Sequence, residues 1–253
     1  MRKLFILPLL CISIAASAQF NLQFHYDLGR HINPDAEPNR QLFTATAEFF
    51  KADRLGSTFL FIDMDYRGKG PQNQGPMSAY WEMSREFTFA KVKETNSSFA
   101  GHIEYNGGLN NQRSFQQSVL VGPAWNWHSE DFNKTFSFQT LYRQFFKCGS
   151  CKAISSFQTT AVWGINFAKG LCTFRGYADL WYGYIPAFDR NGEQKKGLVL
   201  QSEPQFWFNI YGRERQNNRL SVGTELEISN NFIWAETSRT FYLNPTLAVK
   251  YTF

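Results

Sequence analysis

Asp63 and Asp65, Glu82 and Glu86, and Glu225 and Glu227 each lie an even number of residues apart, in stretches that otherwise alternate apolar and polar. Glu104, Asp179 and Glu203 hold the polar positions of similar stretches, as do Arg143 and Arg175. Tyr177, Trp181 and Trp207 share the parity of those charges. Even spacing along a strand puts side chains on one face, so carboxylates, guanidinium groups and aromatic rings would share one surface. Such a surface can do two things. It can satisfy its own charges through ion pairs and hydrogen bonds. It can also offer carboxylates to hydroxyls and cations while its rings stack on the flat groups of a small polar solute. Asp63 and Asp65 with no third ligand in reach are a poor calcium site. Neither a metal nor a cofactor is expected.

The remaining chemistry is sparse. Cys148-Gly149-Ser150-Cys151 is a lone CxxC, short of the four ligands zinc takes. Outside the cytoplasm, a disulfide between Cys148 and Cys151 that clamps a loop is the expectation. Cys172 has apolar parity and reads as a filler. Of the histidines, His25 and His102 have the parity of the charges, His31 falls in a loop and His128 in a turn. No outward histidine is expected beside an outward serine, which lipid cleavage at a membrane face would require. The chain is read as a non-enzyme.

Strands must position these groups. The last thirteen residues, Phe241 to Phe253, alternate with a period of two: Phe241, Leu243, Pro245, Leu247, Val249, Tyr251 and Phe253 against a mostly polar set. An ordinary strand runs about 5–6 residues, whereas one crossing a bilayer needs roughly 9–11. Similar alternation predicts strands over Asn21–Leu28, Leu42–Phe50, Thr58–Arg67, Ala79–Phe89, Phe99–Asn106 and Phe115–Trp127. It continues with Phe136–Phe146, Phe157–Phe167, Leu171–Tyr184, Leu198–Ile210 and Leu220–Ser229, so the closing segment is the twelfth. Arg85 falls on an apolar face and must lie near an interface or snorkel.

Composition agrees. Met1–Ala18 reads as a cleaved signal peptide: Arg2 and Lys3, an apolar run from Leu4 to Ile14, then Ala16-Ser17-Ala18. Its removal lowers the formal charge from +5 to about +3, too mild to argue for nucleic acid. Beyond it no apolar run is long enough for a transmembrane helix. The chain is 17% aromatic, which fits rings girdling a barrel at the membrane interfaces. Residues 19–253 are read as one domain: an all-β, 12-stranded antiparallel transmembrane β-barrel of the outer-membrane type in a Gram-negative cell. Connections alternate between short turns on the side of both termini and longer loops on the other, as such barrels require. A secreted sandwich or a soluble eight-stranded barrel is the alternative, with its greasy faces turned inward.

Several short pieces resemble the Tsx superfamily of nucleoside-specific outer-membrane channels. They are Phe59-Leu60-Phe61-Ile62-Asp63-Met64-Asp65, Gly75-Pro76 leading into Tyr80-Trp81-Glu82-Met83, Gly122-Pro123-Ala124-Trp125, and Val249-Lys250-Tyr251-Thr252-Phe253. The chain looks closest to an uncharacterised branch of it. The resemblance implies a monomeric twelve-stranded barrel in outer-membrane lipid, with a nucleoside-like solute passing inside. The ending Tyr251-Thr252-Phe253 resembles the C-terminal insertion signal of bacterial outer-membrane barrels, which implies assembly through the C-terminal strand by the barrel-assembly machinery. Strand parity assigns to that interior Asp63, Asp65, Glu82, Glu86, Glu104, Asp179, Glu203, Glu225 and Glu227. Arg67, Arg143, Arg175, Lys250, His25 and His102 join them, with the rings of Phe59, Phe61, Tyr80, Tyr177, Trp181 and Trp207. An excess of acid would favour neutral and cationic solutes over anions. Three readings stand in order: a narrow channel for nucleosides or similar small polar solutes, a closed structural or accessory barrel, and an outer-membrane lipid-modifying enzyme.

Overall fold

A computed structural model describes residues 18–34, 40–67, 75–111, 115–149, 151–210, 219–233 and 238–253. Except for Ala18, the expected signal peptide lies outside the described residues. Thirteen strand segments follow in order: β1 (Ala18–Asp27), β2 (Phe43–Asp53), β3 (Gly56–Tyr66), β4 (Pro76–Val92), β5 (Ser97–Asn110), β6 (Ser118–His128) and β7 (Lys134–Phe145). Then come β8 (Ile154–Phe167), β9 (Cys172–Phe188), β10 (Gln194–Ser202), β11 (Gln205–Asn209), β12 (Leu220–Asn230) and β13 (Phe241–Thr252). Each pairs antiparallel with its neighbours, and β13 zips onto β1 from Asn21↔Thr252 to Asp27↔Thr246, closing the sheet into a barrel.

β10 and β11 are one stave of that barrel. Both pair with β9 on one side and β12 on the other, in a single register. The break between them falls at Glu203-Pro204, because proline has no N–H to give the ladder. The neighbours stay satisfied: Glu203 N donates to Tyr177 O at 3.1 Å, and Leu226 N donates to Pro204 O at 3.0 Å. Twelve staves result, the expected number, although the expected strand Leu198–Ile210 was uninterrupted. β4 and β9 each run to 17 residues, longer than their alternation alone marked out. β6 begins at Ser118 rather than Phe115.

The pleat is inside out relative to a water-soluble barrel. On β13, Phe241, Leu243, Leu247, Val249 and Tyr251 are exposed, while Tyr242, Asn244, Thr246, Ala248 and Lys250 are buried. On β1, Phe20, Phe24 and Tyr26 face out and Asn21, Gln23, His25 and Asp27 face in. A surface this apolar is stable only against hydrocarbon. The soluble alternative, which needs greasy faces turned inward, is overturned by the same alternation.

At the end that carries Ala18 and Phe253, β2 and β3 are joined by Arg54 and Leu55 alone. Arg85, the charge on an apolar face, is accounted for here. Its two guanidinium nitrogens donate to Asp53 at 2.7 and 2.9 Å and to Thr58 Oγ1 at 2.9 Å, so the charge reaches the rim of the wall. The Asp53 carboxylate also accepts from the N–H groups of Leu55 and Gly56, at 2.8 and 3.1 Å.

Candidate functional site: a slot through the barrel

A cavity of about 2590 Å³ occupies the barrel, and its lining extends from Lys93, Asn133 and Phe253 at one end to Asn110, Cys148 and Phe188 at the other. β2, β3 and β4 make one wall. Alternation turns Thr44, Thr46, Phe59, Phe61, Asp63, Asp65, Tyr80 and Glu82 into it. Cross-strand register then decides which of these touch. Asp63 stands between Thr46 and Tyr80, and Asp65 between Thr44 and Ser78. Thr46 Oγ1 accordingly donates to Asp63 at 2.5 Å, while Thr44 Oγ1 and Ser78 Oγ donate to Asp65 at 2.7 and 2.6 Å. Tyr80 OH donates to Glu82 at 2.5 Å.

The rings of this wall form a ladder. Phe59 and Phe61 lie 5.9 Å apart between centroids, Phe61 and Tyr80 5.8 Å, and Tyr80 and Phe115 5.3 Å. Such spacings lie within the range of aromatic pair contacts. The third ring carries its own hydroxyl to a carboxylate. Facing the ladder is the wall of β9 to β12. There Gln201 Nε2 donates to Glu203 at 2.9 Å and Gln205 Nε2 to Glu225 at 2.6 Å, and Tyr177 stands on the same face.

To either side of the space between these walls, side chains pack against one another. On the β4–β8 side His102 sits between Glu86 and Glu104, at 3.3 and 3.1 Å, and Asn126 and Gln139 also donate to Glu86. Arg143 bonds Ser118 and Gln158, at 3.0 and 2.5 Å, and lies over the rings of Phe145 and Trp181 at 4.3 and 5.2 Å. On the β11–β13–β1 side His25 bonds Thr246 and Gln23, both at 3.1 Å. Lys250 Nζ lies 4.2 Å above the Trp207 ring. These flanks narrow the open space to a slot between the ladder and the β9–β12 wall, whose edges His25, His102, Arg143 and Lys250 still line.

Every acid expected inside lines the slot, together with Arg67, Arg143, Arg175, Tyr177 and Trp181. Trp207 does not. It is 0% exposed, wedged beneath Lys250 and edge-on to His25, with its indole N–H on Gln205 at 2.9 Å, so it supports the wall and does not face solute. Several residues of the site escaped the sequence reading. Glu48 and Asp27 have lumen parity, and that signal was present. Arg40 comes from a loop without periodicity and pairs with both Asp27 and Glu227. Phe115, expected at the start of a strand, instead turns its ring onto Tyr80.

Two expectations about reactive groups change. Cys148 and Cys151 exchange backbone hydrogen bonds at 3.0 and 2.9 Å, but both are free thiols: Cys148 Sγ donates to Phe115 O and Cys151 Sγ to Gln194 Oε1. The backbone bridge already closes this turn without a covalent clamp. His31 is held outside the barrel, its Nε2 2.9 Å from the hydroxyl of lipid-facing Tyr26. Its bonding partner there is a tyrosine and not the serine that lipid cleavage needs. Among the described residues no group of three or more His, Cys, Asp or Glu has the geometry to hold a metal ion.

A family model described as "Domain of unknown function (DUF5020)" matches residues 18–253. The chain belongs to the DUF5020 family. Its barrel is similar in structure to the COG4313 outer membrane channel from Pseudomonas putida F1, with a TM-score of 0.53 at 9% identity, over 95% of this chain and 97% of that one. A looser likeness joins it to the KdgM porin, with a TM-score of 0.48 at 9% identity, over 93% of this chain and 99% of that one. The outer membrane protein OprD from Pseudomonas aeruginosa gives a TM-score of 0.42 at 7% identity, over 84% of this chain and 60% of that one. None of the curated proteins matches in sequence. The first of these likenesses agrees with the closed twelve-stave barrel described above: this DUF5020 chain has the fold of an outer-membrane channel.

Proposed function

We propose that this DUF5020 barrel is a monomeric outer-membrane channel through which small polar, ring-bearing solutes diffuse, nucleosides or molecules of similar chemistry. The observation that carries the reading is the ladder from Phe59 to Phe115 running beside Asp63, Asp65 and Glu82, inside a cavity lined from one end of the barrel to the other. Rings accept the flat face of a base. Carboxyl groups steadied by hydroxyls keep lone pairs for ribose hydroxyls and exocyclic amines, because each carboxyl offers two acceptor oxygens. Each such contact is weak, and a file of weak sites lets a solute enter and also leave. The resemblance of Phe59–Asp65 and Tyr80–Met83 to nucleoside channels points the same way.

Block of ionic current by added nucleosides in a planar bilayer tests the reading. Adenosine or thymidine is expected to interrupt the current at millimolar concentration. A current that nucleosides leave untouched would remove them as the solute class. The absence of any current would favour the second reading, a closed structural barrel, for which the filled flanks around His102 and Trp207 speak.

A further inference from the structure

We propose that Glu48 and Arg175 form a strut across the lumen that sets its narrowest passage, and so the size of solute admitted. The inference rests on the channel reading above. Glu48 is on β2 and Arg175 on β9, five staves apart by the shorter way round the twelve and thus almost opposite. Even so, an Arg175 guanidinium nitrogen contacts Glu48 Oε2 as an ion pair. Twelve staves about 4.8 Å apart and tilted about 40° would make a circular barrel roughly 24 Å across. Extended Glu and Arg side chains in contact span only about 14 Å between their Cα atoms, by bond lengths near 1.5 Å. The pair can therefore meet only where β2 and β9 are drawn together. The barrel is flattened along that line, and its two side chains fill the gap.

The strut is anchored and placed to meet a passing solute. Asn21 Nδ2 donates to Glu48 Oε1 at 3.1 Å, fixing the carboxylate from the neighbouring strand. Glu48 stands opposite Phe61 in the β2–β3 register, so the ring ladder leads down to it. Arg175 lies three residues into β9, Asn21 three residues into β1 and Glu48 at the midpoint of β2, which puts the strut between the middle of the wall and the end that carries the termini. The Arg175 side chain is 28% exposed against 10% for Glu48, so the guanidinium is the member reaching into the open slot. Lys250, over Trp207, Glu225, held by Gln205, Asp63, on the Thr46 hydroxyl, and His25 also face the pair.

Removing one partner alone would leave an uncompensated charge inside the wall, so the test removes both. Wild type, Glu48→Ala/Arg175→Ala and the reversed pair Glu48→Arg/Arg175→Glu are each refolded in detergent. Heat-modifiable gel migration checks folding, and single-channel conductance and liposome swelling are then measured with mono- and disaccharides. The double alanine variant is expected to conduct at least about twofold more than wild type and to admit the larger sugar, as removal of a constriction requires. The reversed pair is expected to return towards the wild-type conductance. A wild type that conducts and a double variant that conducts equally would overturn the strut and leave the channel reading intact. No current from any of the three would overturn both. A silent wild type beside a conducting double variant supports the strut and makes it the element that closes the lumen.

Discussion

Lumen carboxylates in this barrel are held in two ways, and the difference sets what each can do. Glu86 and Glu104 clasp His102 between them, and Glu48 is tied to Arg175. Those charges are spent on structure. Asp63, Asp65 and Glu82 take hydroxyl donors from Thr46, Thr44, Ser78 and Tyr80, which leaves acceptor capacity towards the slot. Replacing Tyr80 by alanine removes the third ring of the ladder and the donor to Glu82. If a stacked ring contributes about 0.5–1.5 kcal/mol, nucleoside block should weaken by roughly 2- to 10-fold. An unchanged blocking concentration would take the ladder out of the permeation path. Outside the membrane, Asp131 in the β6–β7 turn offers a pH test. The Ser129 hydroxyl, at 2.6 Å, and the backbone and side-chain N–H groups of Asn133 hold its carboxyl down to about 2. A depressed carboxyl steadies the turn above its ordinary value of 3.8, and that contribution fades as pH falls through about 2. Its carbon-13 titration should have a midpoint near 2 in wild type and move up in Ser129→Ala. A wild-type midpoint at 3.8 would contradict the turn geometry.

At the scale of strands, the pleat carries most of the information. Alternation alone placed Asn21, Gln23, His25 and Asp27 inside, and it placed Leu243, Leu247 and Val249 outside, where the structure has them. A period of two leaves only one choice of face once the sign of the solvent is known. Leu247, 58% exposed in the middle of β13, makes the membrane claim quantitative. Leu247→Arg should cost about 2–4 kcal/mol of folding free energy into lipid vesicles if it lies near the bilayer midplane. The same change at the β6–β7 turn, at Phe132, should cost far less. Equal costs at both positions would deny the lipid contact. Backbone geometry was harder to read. Gly56 closes the two-residue turn at φ +149°, and a Cβ there would lie 2.0 Å from the carbonyl of Glu86. Gly56→Ala is therefore expected to lose about 1–3 kcal/mol in urea unfolding from micelles. Loss of less than a few tenths would mean that the strand ends part to make room. The break at Glu203-Pro204, the inward turn of Arg40 and the ring of Phe115 have no periodic signature. Proline marks the first of these in the sequence, whereas Arg40 and Phe115 depend on what lies beside them in the barrel, which a one-dimensional pattern cannot register.

For the whole molecule, closure of β13 onto β1 leaves no sheet edge unpaired among the described residues, the condition for a strand-built wall to stand in hydrocarbon. Two packed flanks and two facing walls turn a ring of twelve staves into a slot, and the Glu48–Arg175 contact draws those walls together. None of this followed from parity. It did assign the acids to the inside, and their balance has a consequence for the barrel as a whole. Among the described residues lining the cavity, thirteen Asp or Glu face eight Lys or Arg, so the lumen should attract cations. The most direct test of a lipid-facing barrel with an acidic through-passage is the reversal potential of purified protein in a planar bilayer under a tenfold potassium chloride gradient. Discrete current steps whose reversal potential has the sign of potassium permeation are predicted. Steps that reverse with the sign of chloride, or a protein that stays soluble without detergent and carries no current, would contradict the account.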